Sequence, residues 1–126
     1  MTKEEFKFET DKYVSFETAE LLYQKGFRAN IHEMYDWRGE PSESTYTDAE
    51  PNYACYRPTH QMAMRWLKEV YDIYFITNYY GLDIGNRWAT VKVQKLNTNG
   101  CEISFEGFDI NELYDKGIRY CAEYLI

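Results

Sequence analysis

Cys55 and His60 stand close together on either side of Pro58-Thr59. A thiol beside an imidazole is the minimum for a base-activated nucleophile, and both side chains can ligate metal. A zinc site normally adds a paired short spacing such as C-x-x-C, and Cys55, Cys101 and Cys121 are widely spaced. The pair also lacks a visible orienting partner or oxyanion donor. Gly81, Gly85 and Asn86 bracket Leu82-Asp83-Ile84 and superficially resemble a phosphate loop. The spacing is neither G-x-G-x-x-G nor a P-loop, and a strand pattern follows, so we read a turn. His32 and Asp36 share one side of a strand, but a single pair on a polar face assigns nothing, and Glu4-Glu5 belong to a solvated terminus. No catalytic, cofactor-binding or metal-ligating residue is assigned from these patterns, no cofactor is expected, and the question of catalysis stays open.

The other chemistry available is recognition. Aromatic residues make up 18% of the 126-residue chain, and 13 of them are Tyr. Tyrosine combines an apolar ring with a polar tip, which suits a sheet face or a contact surface. Within Ile73–Tyr80, Tyr74, Ile76, Asn78 and Tyr80 share one strand face while Ile73, Phe75, Thr77 and Tyr79 share the other. If helices cover one face only, the other meets solvent, a partner or a loop. Tyr74, Tyr80, Trp88 and Tyr46 are the candidate protein-contact residues.

These residues need elements to hold them. The length fits one domain spanning 1–126, with 44% hydrophobic and 28% charged residues in a globular balance. Residues 1–12 are charged, without the apolar run of a secretory leader, and are expected to be flexible. No apolar run is long enough to span a bilayer, so a cytoplasmic protein with reduced thiols is expected. The net charge of −7, with 14 basic residues scattered among 21 acids, argues against direct binding of duplex nucleic acid.

Ser15 is placed to cap a first helix that Gly26 closes, with Phe16, Ala19, Leu22 and Tyr23 on one face and Phe27 folding back onto Leu22. Ile31–Trp37 alternates as a strand. Residues 38–51, with Gly39, Pro41, Pro51 and several acids, read as a long acidic loop. Asn52–Arg57 is a short strand. Thr59 caps a second helix with the stripe Ala63, Trp66, Leu67 and Val70. Ile73–Tyr80, apolar on both faces, is a candidate central strand. Asn97-Thr98-Asn99-Gly100 has the chemistry of a three-residue bulged hairpin loop. Such a loop sets Val93 opposite Phe105 and Val91 opposite Gly107; a two-residue loop would mix the faces. Asp109 opens a last helix lined by Leu113, Gly117, Cys121 and Tyr124 or Leu125, and Gly117 implies close packing against a neighbouring backbone. The expected fold is α+β: a mixed or antiparallel sheet of about five strands with three helices, in the order α-β-β-α-β-β-β-α.

The strings Lys12-Tyr13-Val14-Ser15-Phe16-Glu17-Thr18-Ala19-Glu20-Leu21-Leu22-Tyr23-Gln24-Lys25-Gly26-Phe27 and Pro58-Thr59-His60-Gln61-Met62-Ala63-Met64-Arg65-Trp66-Leu67 are distinctive. Their pattern resembles small proteins of Bacteroides-type gut bacteria and of their phages and prophages, although His60 here interrupts the Pro-Thr-Gln of that pattern. The resemblance implies a genomic setting, an accessory protein of a phage or mobile element, and transfers no functional residue. Composition and resemblance together lead us to expect a non-enzymatic protein. It would bind another protein, host-encoded or a second copy of itself, through the aromatic face or the acidic loop. A thiol- or metal-dependent enzyme using Cys55 and His60, and an acidic mimic of nucleic acid, are the alternatives.

Overall fold

Ser15 behaves as its place before an apolar-periodic run predicts. In the computed structural model, which describes residues 12–29, 31–43, 53–81, 88–96 and 102–126, its hydroxyl accepts the Thr18 N–H at the start of α1 (Phe16–Gln24). Gly26 closes that helix at φ +99°. The Phe27 N–H reaches Leu22 O at 2.9 Å and the Gly26 N–H reaches Tyr23 O at 3.1 Å, the two bonds of a Schellman ending. Thr59 likewise accepts the Met62 N–H at 3.2 Å to open α2 (His60–Tyr71). The buried stripe of α2 is His60, Ala63 and Leu67. Val70, expected in it, is exposed, because the stripe passes instead to the half-buried Tyr71, whose ring packs edge-on against Trp66. Asp109 accepts the Asn111 and Glu112 N–H groups to open α3 (Ile110–Tyr120), which runs on into a π-helical turn at Cys121–Leu125.

Among the described residues the strands number six and form two sheets, not one. β1 (Glu33–Asp36), β2 (Pro41–Glu43) and β3 (Tyr53–Tyr56) make an antiparallel sheet in the order β2-β1-β3. β4 (Ile73–Tyr80), β5 (Trp88–Lys95) and β6 (Glu102–Gly107) make a second one in sequence order. The additional strand, β2, lies inside the segment 38–51 expected to be a loop. Gly39 at φ +82° turns the chain, while the Asp36 carboxylate accepts the Arg38 and Glu40 N–H groups. Pro-Ser-Glu carries no apolar alternation, so nothing in its composition announces a strand. The remainder of the acidic segment with Tyr46, the first eleven residues including Glu4-Glu5, the turn through Gly85 and Asn86, and the hairpin tip with Cys101 lie outside the described residues.

Two further expectations are corrected. β4 is not central: among the described residues it is an edge, and β5 occupies the middle. Its apolar character on both faces has another cause. Ile73 is buried beneath the helices, whereas Ile76, Tyr79 and Tyr80 are exposed. The β5–β6 hairpin also pairs Val91 with Phe105, Val93 with Ile103 and Ala89 with Gly107, a slide of two residues from the expected register. The faces are nevertheless those expected. Period-two alternation fixes which side a residue occupies and is blind to a slide by two.

Ala89, Val91 and Val93 turn towards α3, which lies on β5 and β6 and also touches α1 and α2. α1 in turn packs on β3, so the helices join the two sheets. Gly117 sets the distance between α3 and its sheet. A Cβ there would stand 2.7 Å from Phe75 Cε2 and 3.2 Å from Val93 Cγ2, so the close approach is to side chains rather than to a backbone. Leu22, Met34, Leu67, Ile73, Val93 and Ile118 form the centre of the main core. No helix among the described residues is long and apolar enough to cross a membrane.

Candidate functional site

Two regions carry the side chains that could act. The first is a cleft where the entries to the helices converge. The segment Lys12–Val14 runs antiparallel to Pro58–His60: the Val14 N–H donates to Pro58 O at 3.0 Å, the His60 N–H to Lys12 O at 2.9 Å, and Tyr13 bridges Thr59. This crossing brings the start of α1 beside the start of α2. α3 lays Asn111 and Asp115, one helical turn apart on one face, against both. The result is an open cleft of about 460 Å³ whose lining includes Tyr13, Tyr35, Arg57, His60, Asn111 and Asp115.

Asp115 organises its floor. The carboxylate accepts the Ser15 N–H at 2.8 Å, the Ser15 hydroxyl at 2.9 Å and the Thr18 hydroxyl at 3.0 Å, acting as a fixed anion at the positive end of α1. Burial pushes the Asp115 carboxyl up, but the His60 ring and the Ser15 and Thr18 donors outweigh it and hold the group below the usual carboxylate range. His60 is buried, and its Nε2 stands 3.5 Å from Asp115 Oδ1, within ion-pair reach but long for a well-formed hydrogen bond. Above it the Arg57 guanidinium lies 3.8 Å from the centre of the Tyr13 ring and 5.5 Å from that of Tyr35. The Tyr35 hydroxyl donates to Val14 O, and burial, partly opposed by Arg57, raises its pKa.

The sequence linked His60 to Cys55; the structure links it to Asp115. Cys55 is fully buried in β3, and burial, with Glu20 adding to it, pushes its thiol up to about 12, so it stays protonated at neutral pH. Cys121 is likewise buried, and burial raises its thiol to about 12. Among the described residues no three His, Cys, Asp or Glu side chains gather as a metal cluster. Asp36, paired on paper with His32, is occupied by the β1–β2 hairpin and by Arg38.

The second region is the far end of the second sheet, on the face turned away from α3. Tyr80 and Trp88 are cross-strand partners, and their rings stack at 4.5 Å with an interplanar angle of 22°. Both remain exposed, at 43% and 37%. Phe108, at 83% exposed, continues the β5–β6 register to the position beside Trp88, and the two rings, with Glu106 and Gly107, line a shallow cleft of about 340 Å³. Aromatic side chains from three successive strand ends therefore form one rim. Of the expected contact residues, Tyr80 and Trp88 come together there. Tyr74 lies on the same face further along β4, half-buried with the Lys68 ammonium 5.8 Å from its ring centre. Phe108 was missed because the expected register placed it opposite Thr90 instead of Trp88.

No family model matches the sequence, and no curated protein or solved structure matches it either.

Proposed function

We propose that this chain is a non-enzymatic accessory protein that works in the cytoplasm by binding another protein through the Tyr80–Trp88–Phe108 rim. The observation that carries the reading is the exposed Tyr80–Trp88 stack on a face that the described helices leave open. Stacked rings present a large, rigid contact area with little side-chain entropy left to lose on binding. Around them the chemistry is acidic. Glu106 borders Trp88 and Phe108, Lys92 on the same face is already paired with Glu102 at 3.0 Å, and the whole chain carries a net charge of −7. The partner that fits is a protein presenting an apolar side chain flanked by Lys or Arg. The likeness to small phage and prophage proteins of gut bacteria supports an accessory role encoded on a mobile element.

The test uses Trp88→Ala and Tyr80→Ala beside the unaltered protein. Each is used as bait in host-cell extract, and each is run in sedimentation equilibrium and in a thermal melt. Loss of a captured protein by Trp88→Ala, at about 2 kcal/mol or more of binding and with the melt within a few degrees, supports the reading. A concentration-dependent dimer that Trp88→Ala abolishes identifies the partner as a second copy. Identical capture by all three, with no self-association, overturns the assignment of this rim.

A further inference from the structure

The four buried side-chain polar atoms that lack a hydrogen-bond partner among the described residues all belong to one place. Arg57 Nε, both ring nitrogens of His60 and Asn111 Oδ1 sit on residues lining the cleft at the helix entries. Folded proteins leave few such atoms unpaired, and each one needs a reason. Scatter across the molecule would be unremarkable, whereas concentration in one open cleft marks groups that wait for a solute. His60 Nδ1 is the firmest of them, since the residue is only 2% exposed and the other ring nitrogen, Nε2, already faces Asp115 at 3.5 Å.

The donor set narrows the solute. Arg57 is held with its guanidinium over Tyr13, and Lys12 lies in the same lining. The acid nearest to hand, Asp115, already accepts from Ser15 and Thr18, so its charge is committed to the α1 entry. What remains is a cationic fork that matches a carboxylate or phosphate. Asn111 Oδ1 can only accept, so it calls for a donor on the same molecule. His60 Nε2 faces Asp115 at 3.5 Å, which leaves Nδ1 as the ring nitrogen available to the solute. We infer that the cleft binds a small oxyanion bearing a hydroxyl next to its charged group, a hydroxycarboxylate or a polyol phosphate, with the anion on Arg57 and the hydroxyl on Asn111. This site is separate from the aromatic rim and does not depend on the reading given to it.

His60 supplies the readout, because the chain holds only 2 histidines and His32 serves as the internal reference. Imidazole resonances are followed while the protein is titrated with glycerate, glycerol 3-phosphate, acetate and inorganic phosphate. Saturable movement of the His60 signals by glycerate or glycerol 3-phosphate, at millimolar or tighter Kd and about tenfold tighter than the matching acetate or phosphate, is the expected result. Which of the first two binds tighter separates the carboxylate from the phosphate. Arg57→Gln should abolish the movement. Asn111→Leu should erase the preference for the hydroxylated probes and melt at or above the temperature of the unaltered protein. A His60 signal that none of the four probes moves means that the cleft holds water only, and it overturns the inference. Equal movement in Arg57→Gln, or equal binding of glycerate and acetate together with equal binding of the two phosphates, overturns it as well.

Discussion

At the helix-entry cleft, side chains from the segment before α1, from β1, from the start of α2 and from α3 meet across long sequence separations. Asp115 accepts from Ser15 and Thr18, and Tyr35 donates to Val14. At the aromatic rim, Tyr80, Trp88 and Phe108 are neighbours simply because their strands are. The cleft is open, lined by charged and aromatic side chains, and built by tertiary convergence; the rim is apolar, exposed and built by sheet register. The largely buried Asp115 carboxylate is tolerated because Ser15 and Thr18 supply its donors, so this part of the cleft and the packing of α3 beside α1 stand or fall together. An exposed ring makes no such demand, which leaves the rim free to change without unfolding the chain.

That contrast can be broken at several depths. The largest effect is expected at Gly117, because α3 carries Asn111 and Asp115 to the cleft and rests on the sheet that bears the rim. Gly117→Val forces the helix away from Phe75 and Val93 and should cost about 3 kcal/mol or more, with loss of cooperative unfolding in a denaturant titration if both regions are lost. Asp115→Asn comes next, at about 2–3 kcal/mol, since it weakens the acceptor of the Ser15 and Thr18 donors. Its pH signature separates it from a packing defect. Asp115 is held below its ordinary value in the folded chain, so its contribution is fully present above the unfolded pKa of about 4 and is lost as pH falls through the lower folded value. Chemical denaturation between neutral pH and about pH 3 should therefore show a shallower acid loss for Asp115→Asn than for the unaltered protein.

Ser15→Ala removes one hydroxyl that both caps α1 and reaches Asp115, and a cost of about 1–2 kcal/mol is expected from the shift in melting temperature. Phe108→Ser should fall within about 0.5 kcal/mol of the unaltered protein, because so little of that ring is buried. A large destabilisation by Phe108→Ser would erase the distinction between the two regions.

The same contrast explains what could be read in the chain beforehand. Ser15, Gly26, Phe27, Thr59 and Asp109 act within a few residues of themselves, and their caps and the Schellman ending are where the sequence analysis put them. The faces of β5 and β6 followed from alternation, but their register did not, because a slide by two leaves every face intact. That slide concealed Phe108. β2 was hidden by a composition that suits a loop equally well. His60 and Asp115 were each visible as residues, but their meeting depends on how α2 and α3 cross, and no local pattern records that. A histidine on the line of Ala63 and Leu67 is the one signal that could have pointed to a buried imidazole needing a distant acid.

The short crossing of Lys12–Val14 with Pro58–His60 also bears on the order in which the molecule assembles. It ties early residues to the start of α2, yet the cleft beneath it is complete only when Asn111 and Asp115 arrive. Contacts of such sequence separation form late and slow the search for the native state. The amides of Val14 and His60, whose hydrogen bonds make up the crossing, should therefore exchange with solvent deuterium only through near-global opening, at rates matching the slowest amides of β5. A nascent chain still lacking α3 has the crossing available to it but not the cleft, so any solute held there is a ligand of the finished fold alone.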